Sequence, residues 1–241
     1  MAAPTTARLS CGVLTRVTAM LDCVERTTGP DPSWSIVWLH GLGDSGHGFA
    51  PIVPELVRPG WPALRFVFPH APERAVTING GARMRAWYDI RDFESTGRAD
   101  EAGVRESIVQ VEELLAREGE RGLAANRILL AGFSQGGAIA LETMLRREAA
   151  LAGVVALSTY LPLGKAAAAE ATAAGKGTPV FMAHGVVDPV LKFEWGQASR
   201  DALKALGVPV EWHAYQGMPH TVYPAELRDV GDWLTARFAA G

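Results

Sequence analysis

Cysteine is scarce in this chain: Cys11 and Cys23 are the only two in 241 residues. Two thiols build neither a disulfide framework nor a cysteine-ligated zinc site, so a reduced, cytoplasmic protein is the default expectation. Cys23, within Met20-Leu21-Asp22-Cys23-Val24, is expected as buried filler of a first strand. Long apolar runs are lacking too. No stretch approaches the roughly 18 residues that a membrane-spanning helix requires. Arg8 and Arg16 surround a weak, broken apolar segment, a poor secretory signal. Ala2 excludes myristoylation, and Phe238-Ala239-Ala240-Gly241 is no prenylation box. Stable membrane anchoring is therefore not expected. Excess charge of one sign is also missing: 23 Lys and Arg stand against 26 Asp and Glu, a net charge of −3. With no basic stripe and no nucleic-acid motif, a nucleic-acid partner is not expected.

What the chain does have is ample core, 48% hydrophobic residues with 20% charged, which suits one large α/β domain over residues 19–241. Residues 1–18 are poorly patterned and are expected as an N-terminal extension. Apolar strand-like runs at 17–24, 35–39, 64–68, 128–131, 153–157, 179–183 and 209–215 alternate with helix-like segments at 49–57, 101–118, 135–147, 192–206 and 225–238. Such alternation predicts a mostly parallel sheet with helices on both faces and no large cap domain. In these sheets chemistry gathers in loops beyond the carboxyl ends of the strands. The last run alternates Val210, Trp212 and Ala214 against Glu211, His213 and Tyr215, the pattern of an edge strand with one wetter face. Residues 165–177 are Ala-rich and read as a surface helix or loop. Residues 69–100 have no clear period, and a long connection of that kind tends to be functional.

One stretch stands out chemically. Gly132-Phe133-Ser134-Gln135-Gly136-Gly137 follows an apolar strand-like run and precedes a helix with Ile139, Leu141, Met144 and Leu145 on its apolar positions. This is the G-x-S-x-G nucleophile elbow, in which a serine stands on a tight strand-to-helix turn. Composition alone would produce such a motif in about one similar chain in ten, so its placement and its partners carry the argument. A serine hydroxyl needs a base to take its proton, and the base needs an acid to orient it. Of the histidines after Ser134, His184 ends a buried strand and His213 lies within the alternating strand. His220, in Gly217-Met218-Pro219-His220-Thr221, occupies the loop before the last helix, where a base belongs. Among the acids between Ser134 and His220, Asp188 alone follows directly on an apolar strand. Glu142, Glu148, Glu170, Glu194, Asp201 and Glu211 fall on helices, the Ala-rich segment or mid-strand, and are expected on solvated faces. Gln135 N–H and Leu42 N–H, the latter in Trp38-Leu39-His40-Gly41-Leu42-Gly43-Asp44, are the expected oxyanion donors. His40 and Asp44 are expected to buttress that loop.

The residues His40-Gly41-Leu42-Gly43-Asp44, Pro69-His70-Ala71-Pro72, Trp87-Tyr88-Asp89, the Ser134 hexapeptide, Leu161-Pro162-Leu163, His184-Gly185 with Asp188, and Met218 with His220 occur in family order. In them the chain resembles the phospholipase/carboxylesterase family, the small carboxylesterases and acyl-protein thioesterases of the α/β-hydrolase fold. The resemblance implies a Ser134–Asp188–His220 triad and an oxyanion hole from Leu42 and Gln135. It further implies hydrolysis of a small-molecule ester or thioester without metal or organic cofactor, and it allows a homodimer. Ile78, Trp87 and Val190 are the positions it implies for the acyl pocket. The N-terminus lacks the acylated cysteine of some eukaryotic members, which counts against membrane recruitment. A serine carboxylesterase for short- to medium-chain esters is the leading expectation, with a longer-chain acyl-(protein) thioesterase or lysophospholipase as the alternative. Serine rather than aspartate at the nucleophile position sets dehalogenase chemistry aside.

Overall fold

In the computed structural model, which describes residues 20–92 and 100–240, the sheet runs through the middle of the molecule with helices packed on both faces. Its seven strands are β1 (Cys23–Thr27), β2 (Trp34–Leu39), β3 (Leu64–Pro69), β6 (Ile128–Phe133), β7 (Gly153–Leu157), β8 (Val180–Gly185) and β9 (Val210–Tyr215), in spatial order β1-β3-β2-β6-β7-β8-β9. Every neighbouring pair is parallel except β1 with β3. The central strands read as unbroken apolar runs because both of their faces are covered. Side-chain alternation splits each run between two cores. Ile36, Trp38, Leu129, Ala131, Val155 and Phe181 point to one core, where they meet α2 (Val53–Leu56) and α8 (Pro224–Ala240). Val37, Leu39, Leu130, Val154 and Met182 point to the other, under α3 (Glu101–Glu120), α4 (Gln135–Arg146) and α7 (Phe193–Ala205).

Three local expectations need correction. The helix expected over 49–57 is broken into α1 (Gly46–Phe49), a 3-10 turn at Ala50–Ile52, and α2. Pro51 and Pro54 each lack the N–H that would continue the ladder, so each restarts it. The first strand runs over Cys23–Thr27 rather than 17–24, of which 17–19 lie outside the described residues. Cys23 is only half-buried there, with Arg117 3.7 Å from its sulfur. Within 69–100 the chain forms a two-stranded hairpin of β4 (Glu73–Val76) and β5 (Ala82–Arg85) turning at Asn79-Gly80-Gly81. Its strands are four residues each and largely polar, too short to show a period. Two short helices, α5 (Gly164–Glu170) and α6 (Ala173–Gly177), fill the Ala-rich segment.

The last loop is anchored by an unusual group. Glu226, in the first turn of α8, is fully buried; its Oε1 has no hydrogen-bond partner, and its Oε2 accepts only a long 3.4 Å bond from Tyr223 N–H. Burial, reinforced by nearby Asp229 and opposed by that N–H, pushes its carboxyl up to about 8. Between its ordinary value of 4.5 and about 8 the folded chain holds a proton that the unfolded chain has released, so stability falls as pH rises through that window. Glu226→Gln removes this titration. In melting curves from pH 5 to 9 the variant is expected to gain on the wild type by about 10 °C towards the alkaline end. Parallel curves for the two proteins would mean that Glu226 is already ionised at neutral pH.

Candidate active site

Four loops meet beyond the carboxyl ends of β2, β6, β8 and β9, and each brings at least one expected site residue. Ser134 joins β6 to α4 with φ 54° and ψ −121°, a conformation costly for a side-chain-bearing residue. Its surroundings hold it there. Ser134 N–H donates to Leu157 O at 2.9 Å, and its carbonyl accepts from Thr159 Oγ1 at 2.7 Å and from Ala138 N–H at 3.1 Å. Gly136 lets the turn close against the neighbouring strand, since a Cβ there would lie 2.4 Å from Leu39 O. The hydroxyl is thereby left at the end of the sheet, over the first turn of α4.

Ser134 Oγ lies 2.9 Å from His220 Nε2, and His220 Nδ1 lies 2.7 Å from Asp188 Oδ2. The other Asp188 oxygen accepts from Val190 N–H at 2.8 Å and Leu191 N–H at 2.9 Å. Burial alone would raise the Asp188 carboxyl. The hydrogen bonds from His184, His220 and Leu191 N–H outweigh it and hold the group well below the usual carboxylate range. An ionised Asp188 can only accept, so the proton in that pair resides on His220 Nδ1, leaving Nε2 free to accept from the serine. The loops bearing Asp188 and His220 touch at Gly185, where a Cβ would sit 2.1 Å from Met218 O. Phe133 packs against the His220 ring at 4.8 Å between centroids.

The β2 loop is built around His40, which is fully buried. Ala71 N–H donates to His40 Nε2 at 3.0 Å, so the ring proton is on Nδ1, which donates to Gly41 O at 2.7 Å. Burial, the main cause, lowers the His40 imidazole below its ordinary value, in keeping with a neutral ring. In a trans peptide the C=O and N–H point in opposite directions. Anchoring Gly41 O therefore turns Leu42 N–H away from His40. Leu42 and Gln135 both line the cavity beside Ser134, and none of the described loop hydrogen bonds uses either N–H. Asp44 accepts from Ser45 N–H at 2.7 Å within the same loop.

That cavity, about 240 Å³, is bounded by Ser134, His220 and the two loops, and by Tyr88, Ile90, Tyr160, Val190, Leu191 and Trp195. Of the three positions expected in the acyl pocket only Val190 lines it. Trp87 is wholly buried behind it, where its indole N–H donates to His40 O at 2.9 Å and its backbone N–H to Gln135 Oε1 at 2.8 Å. Ile78 sits on the β4–β5 turn, its N–H bonded to Ile90 O, away from the cavity wall. The hairpin puts the alternate residues Tyr88 and Ile90 on the wall instead. No spacing in the sequence marks Tyr160, Leu191 and Trp195, which arrive from the segments that follow β7 and β8.

His213 stands half-exposed on the edge strand, 2.8 Å from Glu211, and apart from Ser134. His184 does approach the site from behind, bonding Leu191 O at 3.0 Å and lying 3.5 Å from Asp188 Oδ2. The expectation that Glu142 is solvated fails: it is fully buried, accepting from Leu163 N–H at 2.7 Å and paired with Arg146. Arginine is long enough to follow a glutamate into the interior, so helical position alone did not decide its exposure. Among the described residues no helix is long and apolar enough to cross a membrane.

The model of the phospholipase/carboxylesterase family matches residues 26–237. The chain is 39% identical over 216 residues to acyl-protein thioesterase 1 of Cryptococcus neoformans, covering 83% of this chain and 90% of that one. It is 41% identical over 225 residues to acyl-protein thioesterase 1 of Mycosarcoma maydis, covering 88% and 94%. The crystal structure of Arabidopsis thaliana SOBER1 superposes with a TM-score of 0.81 at 34% identity, over 85% of this chain and 98% of that one. Sheet order, elbow and likeness agree, and the chain belongs to the phospholipase/carboxylesterase family, a serine hydrolase of the α/β-hydrolase fold.

Proposed function

We propose that this protein is an acyl thioesterase that works through an acyl-enzyme on Ser134, with His220 as general base and acid and Asp188 as the residue that orients it. The observation that carries the reading is the continuous hydrogen-bonded chain from Ser134 Oγ through His220 to Asp188 at the mouth of a largely apolar cavity. His220 Nε2 takes the serine proton as Oγ attacks the acyl carbon. Leu42 N–H and Gln135 N–H receive the oxyanion. When the intermediate collapses, the C–S bond breaks and the thiol leaves with the proton from His220. Water, deprotonated by the same ring, then frees the acid from Ser134.

The sequence by itself placed short- to medium-chain carboxylic esters first. Relatives of about 40% identity bear the name acyl-protein thioesterase 1, which favours the alternative. The cavity walls supply apolar surface for an acyl chain. Each buried methylene contributes about 0.8 kcal/mol, so kcat/KM is expected to climb about three- to fourfold per carbon until the cavity is filled. Measuring kcat/KM for thioesters and matched oxyesters with acyl chains of two to sixteen carbons tests this. A maximum at the shortest oxyesters would return the protein to the carboxylesterase reading.

A further inference from the structure

A second depression adjoins the first and shares with it a wall made of Phe49, Phe133 and His220. Ile52, Glu55, Thr221, Val222 and Leu227 form much of its remaining surface, whereas Ser134, Leu42 and Gln135 do not reach it. The reaction proposed above imposes an order on these two spaces. The oxyanion must lie against Leu42 and Gln135, which puts the acyl group in the first cavity. The leaving sulfur or oxygen must lie against His220 Nε2, because it takes the proton from that atom as the bond to the acyl carbon breaks. Whatever the leaving atom carries therefore projects past His220, and the adjoining depression is the space on that side.

Its charge is one-sided. Among the described residues Glu55 is the only Asp, Glu, Lys or Arg side chain lining it; it is exposed, and no ion pair or hydrogen bond is described for it. A carboxylate that stands among apolar and neutral residues, with no described lysine or arginine lining the same depression, attracts cations and repels anions. We propose that the depression is the leaving-group subsite, and that Glu55 makes it select thiols or alcohols bearing a positive charge over neutral and anionic ones. This rests on the assignment of His220 as the proton donor to the leaving group.

Three butyryl thioesters with one acyl group test it: of thiocholine, of its neutral carbon isostere 3,3-dimethylbutanethiol, and of the anionic 2-mercaptoethanesulfonate. In the wild type kcat/KM is expected to fall in that order, with thiocholine about two- to fivefold above the isostere at low salt, the range of an exposed ion pair. High salt should compress the ratio. Glu55→Gln should bring it to about one, and Glu148→Gln, just beyond the C-terminal end of α4, should leave it as in the wild type. A butyrylated cysteine in short peptides flanked by lysine or by glycine separates the two sources of positive charge. A preference confined to the thiocholine pair identifies a small quaternary ammonium, and one shown by the peptide pair identifies a basic peptide. Equal rates in both pairs, or a preference that survives Glu55→Gln, overturns the proposal. Loss of every thioesterase activity from the wild type would instead strike at the parent reading.

Discussion

Ser134→Ala is expected to lower kcat/KM for any thioester or ester substrate by about 10⁴- to 10⁶-fold, the cost of removing the nucleophile from a triad that acts as a unit. The melting temperature should stay within a few degrees of the wild type. Three hydrogen bonds hold the elbow through backbone groups of residue 134, to Leu157, Thr159 and Ala138, and none of them uses the hydroxyl. Alanine can keep all three. A fluorophosphonate probe should label the wild type once and leave the variant unlabelled. Activity within tenfold of the wild type would rule out an acyl-enzyme on this residue.

Asp188→Asn should cost about 10⁴-fold in kcat, close to the loss expected when the base is held in the wrong tautomer. The amide oxygen can keep the bonds from Val190 N–H and Leu191 N–H, which fixes the amide nitrogen towards His220 Nδ1. A donor there demands that Nδ1 accept, so the ring proton moves to Nε2, and His220 can no longer take the proton of Ser134. KM should change little, because Asp188 does not line the acyl cavity. The substitution also alters acid stability in a definite sense. The Asp188 carboxyl is held below its ordinary 3.8 in the folded protein, so its contribution is complete above that value and is lost as pH falls towards the folded one. Wild type and variant melting curves should therefore converge only below about pH 4. A loss of kcat under tenfold would remove Asp188 from the relay.

The sequence and the tertiary structure contributed different things. An elbow can be read from a linear string because its requirements are local: a buried strand, a serine between glycines, and a helix follow one another without interruption. The partners His220 and Asp188 are legible for a related reason: Asp188 follows directly on an apolar strand and His220 occupies the loop between the last strand and the last helix, and few residues of the right type hold such places. The parallel sheet is equally plain, because strands covered on both faces appear as unbroken apolar runs.

The hairpin of Glu73–Val76 with Ala82–Arg85 escaped notice because four-residue polar strands carry no period, and with it went the placement of Trp87 and Ile78. Trp87 has the composition of a pocket residue, but in the fold it becomes the brace between His40 and Gln135. Glu142 looks solvated on a helix, yet packing closes over it, as it does over Glu226. The wall of the cavity, and the acidic depression beside His220, are assembled from segments far apart in the chain. Local chemistry is written in consecutive residues, whereas burial and shape depend on which distant segments come to lie side by side. The candidate reacting groups are therefore legible in the sequence, whereas the space in which they would receive a substrate is decided only by the fold.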